Sequence, residues 1–287
     1  MRVLLTGGAG YIGAVVARRV RQEGHEVVLL DDLSTGHRRA AEGHDLVVGD
    51  FGDRRLVAQL LAGRKIEAVI HVAACALVAE SVRDPARYYH NNLERSLALL
   101  DTLRERQVRL FVLSSSAAVY GEPVSTPIDE SHPTRPTNPY GETKLALERA
   151  LFWYHAGHGL RSVSLRYFNA AGATEDCRLG ELHRPETHLV PIVLQAARIG
   201  DPVPVFGTDY ATRDGTAVRD YIHVDDLADA HVRALDRLRE SRDAAVFNLG
   251  NGAGFTVLEV IEAARRITGR PVSVRPAPRR PGDPGSL

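Results

Sequence analysis

Cysteine is nearly absent from the chain. Only Cys75 and Cys177 occur among 287 residues, and neither lies in a cluster with the spacing of metal ligands. This argues against a disulfide framework and a cysteine-based zinc site, and it favours a reducing, cytoplasmic compartment. We therefore predict no metal site.

Long apolar runs and a charge imbalance are also lacking. No run approaches the roughly 20 apolar residues that a membrane-spanning helix needs. After Arg2 only Val3, Leu4 and Leu5 are apolar before the first glycines, so no signal peptide is expected. Lys plus Arg and Asp plus Glu each total 36. The net charge therefore gives no indication of a nucleic acid or a membrane as a partner.

Lysine is also scarce. Of the 36 basic residues, only Lys65 and Lys144 are lysines, so arginine serves almost everywhere that a positive charge suffices. A compact ammonium group and a planar guanidinium are not interchangeable. A lysine in this chain therefore indicates a specific task.

Regular alternation of strands and helices is what the chain does have. Continuous apolar runs such as 2–6, 27–30, 68–71 and 110–113 alternate with helical patterns. This is typical of a doubly wound α/β fold, with a parallel sheet covered on both faces. We predict a Rossmann-type domain over 1–168, rejoined by segments near 218–250, and a smaller, interleaved substrate domain over 169–287.

A glycine turn follows the first predicted strand. Gly7, Gly10 and Gly13 are spaced by three, which differs from the usual G-x-G-x-x-G and is weak evidence by itself. Asp31, 18 residues beyond Gly13, stands near the position where a carboxylate binds the adenosine ribose and repels a 2′-phosphate. This favours NAD over NADP. Asp31 could instead cap a turn, as could Asp32.

Tyr140 and Lys144 form the most specific pattern. They lie four residues apart in a predicted helix and so share a face. With 9 Tyr and 2 Lys in the chain, chance predicts about 0.06 occurrences of this spacing. An ammonium group beside a phenol should lower the phenol pKa. With Ser116 at the end of the fifth predicted strand, the pair can act as an acid and base beside a hydride acceptor.

Five segments carry a family resemblance that spans essentially the whole chain. They are TGGAGYIG at 6–13, SSSAAVYG at 114–121, NPYGETK at 138–144, LRYFNAAGA at 165–173 and VRDYIHVDDLADAH at 218–231. The sequence resembles the extended short-chain dehydrogenase/reductase superfamily, and within it the UDP-glucose 4-epimerase (UDP-galactose 4-epimerase) family. The resemblance implies bound NAD, a UDP-sugar substrate and a homodimer packed through helices.

The resemblance also assigns residues to each ligand. To the catalytic group it assigns Ser116, Tyr140 and Lys144. To NAD it assigns Gly7, Gly10, Tyr11, Ile12, Gly13, Asp31, Asp32, Asp50, Phe51, Ala73, Asn91, Ser114, Tyr140, Lys144 and Tyr167. To the sugar nucleotide it assigns Ser116, Tyr140, Asn169, His188, Leu189, Phe206, Arg219, Tyr221, Arg280 and Asp283. Arginines suit a diphosphate and Phe206 suits a uracil ring. Without the resemblance, Phe206 is equally a core residue, Arg280 a surface charge and His188 a helix cap.

The sequence departs from the family pattern in two places. Cys75 and Ala76 stand in a stretch where family members often carry a lysine, which puts one cofactor contact in question. The chain ends at Leu287, where the family continues for a few dozen residues. We expect the smaller domain to be truncated there, with apolar surface exposed and the sugar pocket loosened. Leu287 stands where the family places a residue that limits the sugar's 2-substituent, and a bulky residue there disfavours N-acetylated sugars.

Three other functions are open to such a chain. A sugar-nucleotide 4,6-dehydratase needs an acid and a base before the V-Y-G, where Ala117 and Ala118 stand, which argues strongly against it. Epimerases of UDP-glucuronate, UDP-pentoses or UDP-N-acetylhexosamines fit the same motifs. A non-catalytic NAD-binding sensor or scaffold would keep the glycine turn, but retention of Ser116, Tyr140 and Lys144 argues against it.

Overall fold

A parallel sheet forms the centre of the fold. The computed structural model describes residues 1–280 and 284–287, and within these ranges seven strands pair in the order β11-β6-β5-β4-β1-β2-β3. All six pairings are parallel. The strands are β1 (Arg2–Thr6), β2 (Glu26–Asp31), β3 (Asp45–Val48), β4 (Ala68–His71), β5 (Leu110–Ser116), β6 (Arg161–Tyr167) and β11 (Ala244–Leu249).

Helices cover both faces of this sheet, and others pack apart from it. They are α1 (Tyr11–Gln22), α2 (Arg54–Gly63), α3 (Val78–Arg83), α4 (Pro85–Tyr88), α5 (Arg95–Glu105), α6 (Pro139–His158), α7 (Leu189–Ile199), α8 (Val224–Glu240) and α9 (Val257–Thr268). A π-helical turn, Tyr89–Glu94, joins α4 to α5, and short 3₁₀ turns span Arg38–Ala41 and Ala117–Val119.

Two separate cores explain why the strands are apolar on both faces. Val3 and Leu5 of β1 belong to a cluster with residues of α1 and α8. Leu4, which points to the opposite face, belongs to a cluster with residues of α2, α5 and α6. Side chains alternate along a strand, so burial of both faces requires the continuous apolar runs seen in the sequence. The predicted doubly wound α/β fold is confirmed.

The strand order reverses beside β1. The chain runs from β1 outward through β2 to β3, and then returns to place β4 on the other side of β1. In such sheets the crevice outside the carboxyl ends of the strands, at the point of reversal, is where ligands bind. The glycine turn and the ends of β4, β5 and β6 all lie at this edge.

The later part of the chain contributes to two places. Helix α8 packs with α1 in the first cluster, and β11 pairs with β6. Helices α7 and α9 together form a separate cluster with β8 (Val203–Phe206). Strand β8 pairs with β13 (Val274–Ala277). Smaller pairs are β7 (Asn169–Ala171) with β10 (Tyr221–His223), and β9 (Val218–Arg219) with β12 (Phe255–Thr256). The boundary drawn at residue 168 stays a prediction.

No helix among the described residues is both long and apolar enough to cross a membrane.

Candidate functional site

The turn between β1 and α1 accepts glycine alone at two positions. Gly7 has φ +75°, and a Cβ there would lie 2.6 Å from the backbone nitrogen of Ala73. A Cβ on Gly13 would lie 2.0 Å from the oxygen of Gly7. Gly10 is the N-cap of α1 and offers no side-chain hydrogen bond there. Backbone and helix N-terminus are therefore left open to a pyrophosphate, and the residues present fit a dinucleotide.

Asp31 is fixed beside this turn at the end of β2. Its side chain is buried and accepts hydrogen bonds from the N–H groups of Ala9 (2.9 Å) and Leu33 (2.8 Å). Asp32 accepts from the N–H of Ser34 at 2.9 Å and so caps the turn. The ribose and turn roles of Asp31 are thus compatible, because a carboxylate has further lone pairs to offer.

Asp50, Phe51 and Asn91 are three further residues that the sequence predicts to contact NAD. Asp50 accepts from the N–H of Gly52 at 2.8 Å and pairs with Arg95 at 3.3 Å. Phe51 is buried, with its ring centroid 4.9 Å from that of His71. Asn91 lies in the π-helical turn and accepts from Arg95 at 3.2 Å. These contacts place the side chains at one edge of the sheet.

Cys75 lies in the stretch where the sequence departs from the family pattern. It is held by Asn92, which was not among the predicted site residues. Asn92 accepts from the Cys75 N–H (2.8 Å) and donates to the Cys75 oxygen (2.9 Å). It also donates to Thr143 of α6 at 3.3 Å. The segment after β4 is therefore tied to the helix that carries Tyr140.

Tyr140 and Lys144 lie on the buried face of α6. Asn138 caps this helix by accepting from the Gly141 N–H at 2.9 Å, and Pro139 occupies its first turn. Ser116, at the end of β5, lies close enough to lower the pKa of Tyr140 by hydrogen bonding. The Lys144 ammonium lies 5.9 Å from the centroid of the Tyr140 ring. The predicted catalytic trio is thus gathered at the carboxyl edge of the sheet.

The protonation of Tyr140 differs from the expectation. Burial raises its pKa, and the hydrogen bond from Ser116 only partly opposes this. Lys144 directs its ammonium at the backbone oxygen of Ser114, at 2.7 Å. Burial lowers the pKa of Lys144 to about 8, against the charge of Glu148. The expected lowering of the phenol pKa by Lys144 is therefore wrong for the protein by itself, because desolvation dominates.

Ser114 and Tyr167 complete this part of the site. The Ser114 hydroxyl lies 2.8 Å from Nε2 of buried His231, whose Nδ1 lies 2.8 Å from the Leu227 oxygen. Burial, followed by the charge of Tyr140, raises the pKa of Tyr167, and a hydrogen bond with Ser114 opposes it. His231 is a residue that sequence reasoning missed, although it ends the VRDYIHVDDLADAH segment.

A buried ion pair lies behind the trio and was also missed. Glu148 follows Lys144 by one turn of α6, and its carboxylate receives Arg166 at 2.6 Å and Ser115 at 2.5 Å. Arg166 also donates to the Tyr120 hydroxyl at 2.9 Å. The side chains of Glu148 and Arg166 are only 5% and 7% exposed. The pair therefore joins α6 to β5 and β6 directly below the reactive groups.

Several predicted sugar-nucleotide residues lie close to one another. Asn169 and Tyr221 are paired residues of β7 and β10. Burial raises the pKa of Tyr221 to about 12, against the charges of Arg219 and Arg280. The Arg280 guanidinium lies 4.9 Å from the Phe206 ring centroid. Phe206 is only partly buried, at the end of β8, so it is not a core residue. Asp283 lies outside the described residues.

His188 and Leu189 stand at the start of α7. His188 is the N-cap but its side chain makes no capping bond, so the capping alternative is excluded. Its ring nitrogen instead contacts Glu181. Leu189 packs against the cluster between α7 and α9. His188 therefore belongs to a cluster with Glu181 and Glu186, at the start of α7.

Tyr11 and Ile12 begin α1. The Tyr11 hydroxyl donates to the Gly172 oxygen at 2.7 Å, and Ile12 packs against the first core cluster. The glycine turn is thereby joined to the segment that follows Asn169. A Rossmann sheet with a buried Tyr and Lys one helical turn apart, facing a dinucleotide-binding turn, defines an NAD-dependent enzyme of the short-chain dehydrogenase/reductase class.

Comparison with known proteins specifies this class. A model described as the NAD dependent epimerase/dehydratase family matches residues 3–250, and the chain belongs to that family. A UDP-glucose 4-epimerase of Halalkalibacterium halodurans is 50% identical over 289 aligned positions, covering 100% of this chain and 86% of that protein. NAD is accordingly the cofactor of this enzyme.

Solved structures agree with this assignment. The UDP-glucose 4-epimerase of Brucella ovis in complex with NAD has a TM-score of 0.95 and 46% identity, over 100% of this chain and 88% of that one. The enzyme of Bifidobacterium longum, in complex with NAD+ and UDP, has a TM-score of 0.95 and 40% identity, over 100% of this chain and 89% of that one.

Proposed function

We propose that the protein interconverts UDP-glucose and UDP-galactose by inverting the fourth carbon of the sugar. The observation that carries this proposal is the placement of Ser116 close enough to buried Tyr140 to lower its pKa, beside two buried alanines, Ala117 and Ala118. One acid–base group serves the 4-hydroxyl, and neither alanine can assist the loss of water. Relatives that carry the name UDP-glucose 4-epimerase support the proposal over the full chain.

Tyr140 performs the proton transfer, with Ser116 as its partner. Ser116 orients the 4-hydroxyl and favours the phenolate, so Tyr140 can remove the hydroxyl proton and later return it to the other epimer. Bound NAD supplies the acceptor and donor of the hydrogen on the fourth carbon. Burial of Tyr140 keeps water from the 4-keto sugar between the two transfers.

The nucleotide must be held while the sugar turns, since two faces of one carbon must meet one nicotinamide. Arg219 and Arg280 lie close enough to Tyr221 to influence its pKa, and so form one positive region. Their guanidinium groups suit a diphosphate, and Phe206 suits the uracil ring. Leu189, Asn169, His188 and Asp283 remain proposed contacts to the same ligand.

Leu287 supports a preference for sugars without an N-acetyl group. It packs against the cluster of Ala117, Val119, Tyr120 and Leu145. The first residue of this cluster, Ala117, directly follows Ser116 in the sequence. Its backbone is hydrogen-bonded to Val218 (3.1 Å) and Asp220 (3.0 Å). A bulky side chain held there limits the room beside the sugar's second carbon.

The Tyr140→Phe variant tests the reaction. We expect epimerisation of UDP-galactose to fall by about 100-fold or more, because the phenol is the group that moves the proton. UDP binding should be retained, measured by calorimetry. Nearly undiminished turnover would remove Tyr140 from the mechanism. A panel of UDP-hexoses, UDP-hexuronates, UDP-pentoses and UDP-N-acetylhexosamines then ranks the substrates.

We also propose that the enzyme is a cytoplasmic homodimer. Phe152 and Trp153 of α6 are 57% and 69% exposed, with ring centroids 5.3 Å apart, and so form an apolar surface suited to a second copy. The scarcity of cysteine supports a reducing compartment. Light scattering after size-exclusion chromatography tests the dimer, and Trp153→Arg should give monomers.

A further inference from the structure

Four side chains with metal-binding atoms converge in the segment between β7 and α7. Glu181, His183, Glu186 and His188 each offer one oxygen or ring nitrogen, and these four atoms all lie within 4.8 Å of one another. The sequence predicts no metal site because neither cysteine lies in a ligand-spaced cluster. This group contains no cysteine, so an argument based on cysteine spacing could not detect it.

Three of the separations between these atoms are close to those around a small tetrahedral ion. His183 Nδ1 lies 3.2 Å from Glu181 Oε1 and 3.8 Å from Glu186 Oε1. His188 Nδ1 lies 3.6 Å from Glu186 Oε1. Zinc bonds of about 2.0–2.2 Å in a tetrahedron separate the ligand atoms by about 3.4 Å. Glu181 and His188 are closer and contact each other directly, so that contact must open by a small side-chain movement to admit the ion.

Surrounding groups orient the ligands before any ion arrives. The Glu186 carboxylate accepts from the N–H groups of Thr187 (2.8 Å) and His188 (2.9 Å), and from that of His183 at 3.3 Å. Such hydrogen bonds to ligating carboxylates are the usual support of metal sites. Among the described residues, His183 Nδ1 is one of two buried polar side-chain atoms that lack a partner of hydrogen-bonding geometry. An atom that is buried, without a hydrogen bond and directed at two carboxylates is suited to an ion.

The charge of the group also suits a cation. The Glu181 side chain is only 7% exposed, and a buried carboxylate needs a positive partner beside it. Two carboxylates and two neutral imidazoles would neutralise a divalent ion.

We propose that Glu181, His183, Glu186 and His188 bind one zinc ion. Two imidazoles and two carboxylates are ligands that zinc accepts, whereas calcium and magnesium prefer oxygen-rich sites of higher coordination number. Imidazole must be neutral to ligate, so zinc affinity falls as the pH is lowered and both histidines become protonated.

The ion would link two sides of the cleft. His37, in the loop after β2, lies 3.1 Å through Nε2 from the Leu182 oxygen, inside the zinc-binding segment. Burial, and then the charge of Glu181, raise the pKa of Tyr11 at the glycine turn. His188 leads into α7. Zinc would therefore fix the segment between the dinucleotide turn and α7, whether or not the proposed epimerisation is correct.

Zinc titration of the full chain, with its bound cofactor, tests the site. The protein is first dialysed against a chelator and kept with a phosphine reductant at pH 7.5. Calorimetry should give one zinc per chain, and cobalt in its place should give the visible absorption of tetrahedral coordination. His183→Asn should weaken binding by at least tenfold, whereas His183→Cys should retain it through a thiolate ligand.

Two control variants separate this site from adventitious binding. Cys177→Ser removes the exposed thiol nearest in sequence, and His90→Asn removes an exposed histidine paired with Glu94. Both should bind zinc like the parent, and all variants should show the parent's thermal unfolding in chelator. Absence of a one-to-one site, or equal zinc affinity in His183→Asn and the parent, would overturn the proposal and leave the group as an ion-free charge cluster.

Discussion

The ammonium group of Lys144 donates a hydrogen bond to the backbone oxygen of Ser114 at 2.7 Å. The bond joins α6 to the end of β5, two residues before Ser116, and so sets the position of Lys144 relative to Tyr140. It also explains how one lysine can be buried, with a pKa of only about 8 because of desolvation. An arginine at this position could not reproduce one compact donor on a flexible stem.

Replacement of Lys144 is therefore expected to damage catalysis strongly. Lys144→Met should lower kcat for UDP-galactose by about 100-fold or more. The substitution removes a predicted contact to NAD and also the ammonium group that lies beside the Tyr140 ring. Lys144→Arg should rescue little of this. The matched control is Lys65→Met, which removes the other lysine of the chain, on the exposed surface. If Lys144→Met and Lys65→Met had equal rates, Lys144 would have no catalytic role.

Ser116→Ala should change the pH dependence of the reaction. The Ser116 hydrogen bond lowers the pKa of Tyr140, which burial holds above its ordinary value. Without this bond the pKa of Tyr140 rises further, so a smaller fraction is phenolate at neutral pH. The rate should fall by about tenfold or more at pH 7 and recover part of the loss as the pH is raised. Profiles of kcat from pH 6 to 10 for both proteins measure this. A loss that is the same at every pH would assign Ser116 to substrate orientation alone.

The buried pair of Glu148 and Arg166 makes a prediction about stability. Glu148→Gln should lower the free energy of unfolding by about 3 kcal/mol, because it leaves the Arg166 charge buried without its counter-charge. Chemical denaturation measures this difference. The control is Glu26→Gln, which breaks the exposed pair with Arg2 and should leave stability nearly unchanged. An equal, small effect in both variants would mean that Arg166 is adequately solvated.

Local pattern was sufficient to predict much of the fold. Strand β4 runs over Ala68–His71, as the apolar run indicates, and Tyr140 and Lys144 lie in one helix, α6, as predicted. Both segments have strong local signals, an apolar run and an Asn-Pro helix start. The π-helical turn Tyr89–Glu94, between α4 and α5, could not be predicted, because its extra residue has no signature in the sequence.

The candidate site was predictable where residues are neighbours in the chain and not where the sheet brings them together. Tyr140 and Lys144 are one helical turn apart, so their shared face follows from helix geometry. Glu148 and Arg166 are 18 positions apart, and their contact depends on how α6 crosses β5 and β6. The prediction that Lys144 lowers the pKa of Tyr140 was wrong for a related reason. The pairing with Lys144 can be read from spacing, whereas the degree of burial that outweighs it is a property of the packed molecule.

The choice between NAD and NADP depends on Asp31. Its carboxylate is held at the end of β2 by the N–H groups of Ala9 and Leu33, at 2.9 and 2.8 Å. Asp31→Asn keeps the shape but removes the charge, so it should weaken NAD binding by about tenfold, since hydrogen bonds to a charged group are worth more than neutral ones. It should also weaken the discrimination against NADP, because repulsion of the 2′-phosphate is lost. Asp32→Asn is the matched control, since Asp32 caps the turn through Ser34. Reconstitution of cofactor-free protein with each dinucleotide, followed by fluorescence, measures both affinities. A larger loss of NAD affinity in Asp32→Asn than in Asp31→Asn would transfer the ribose-binding role to Asp32.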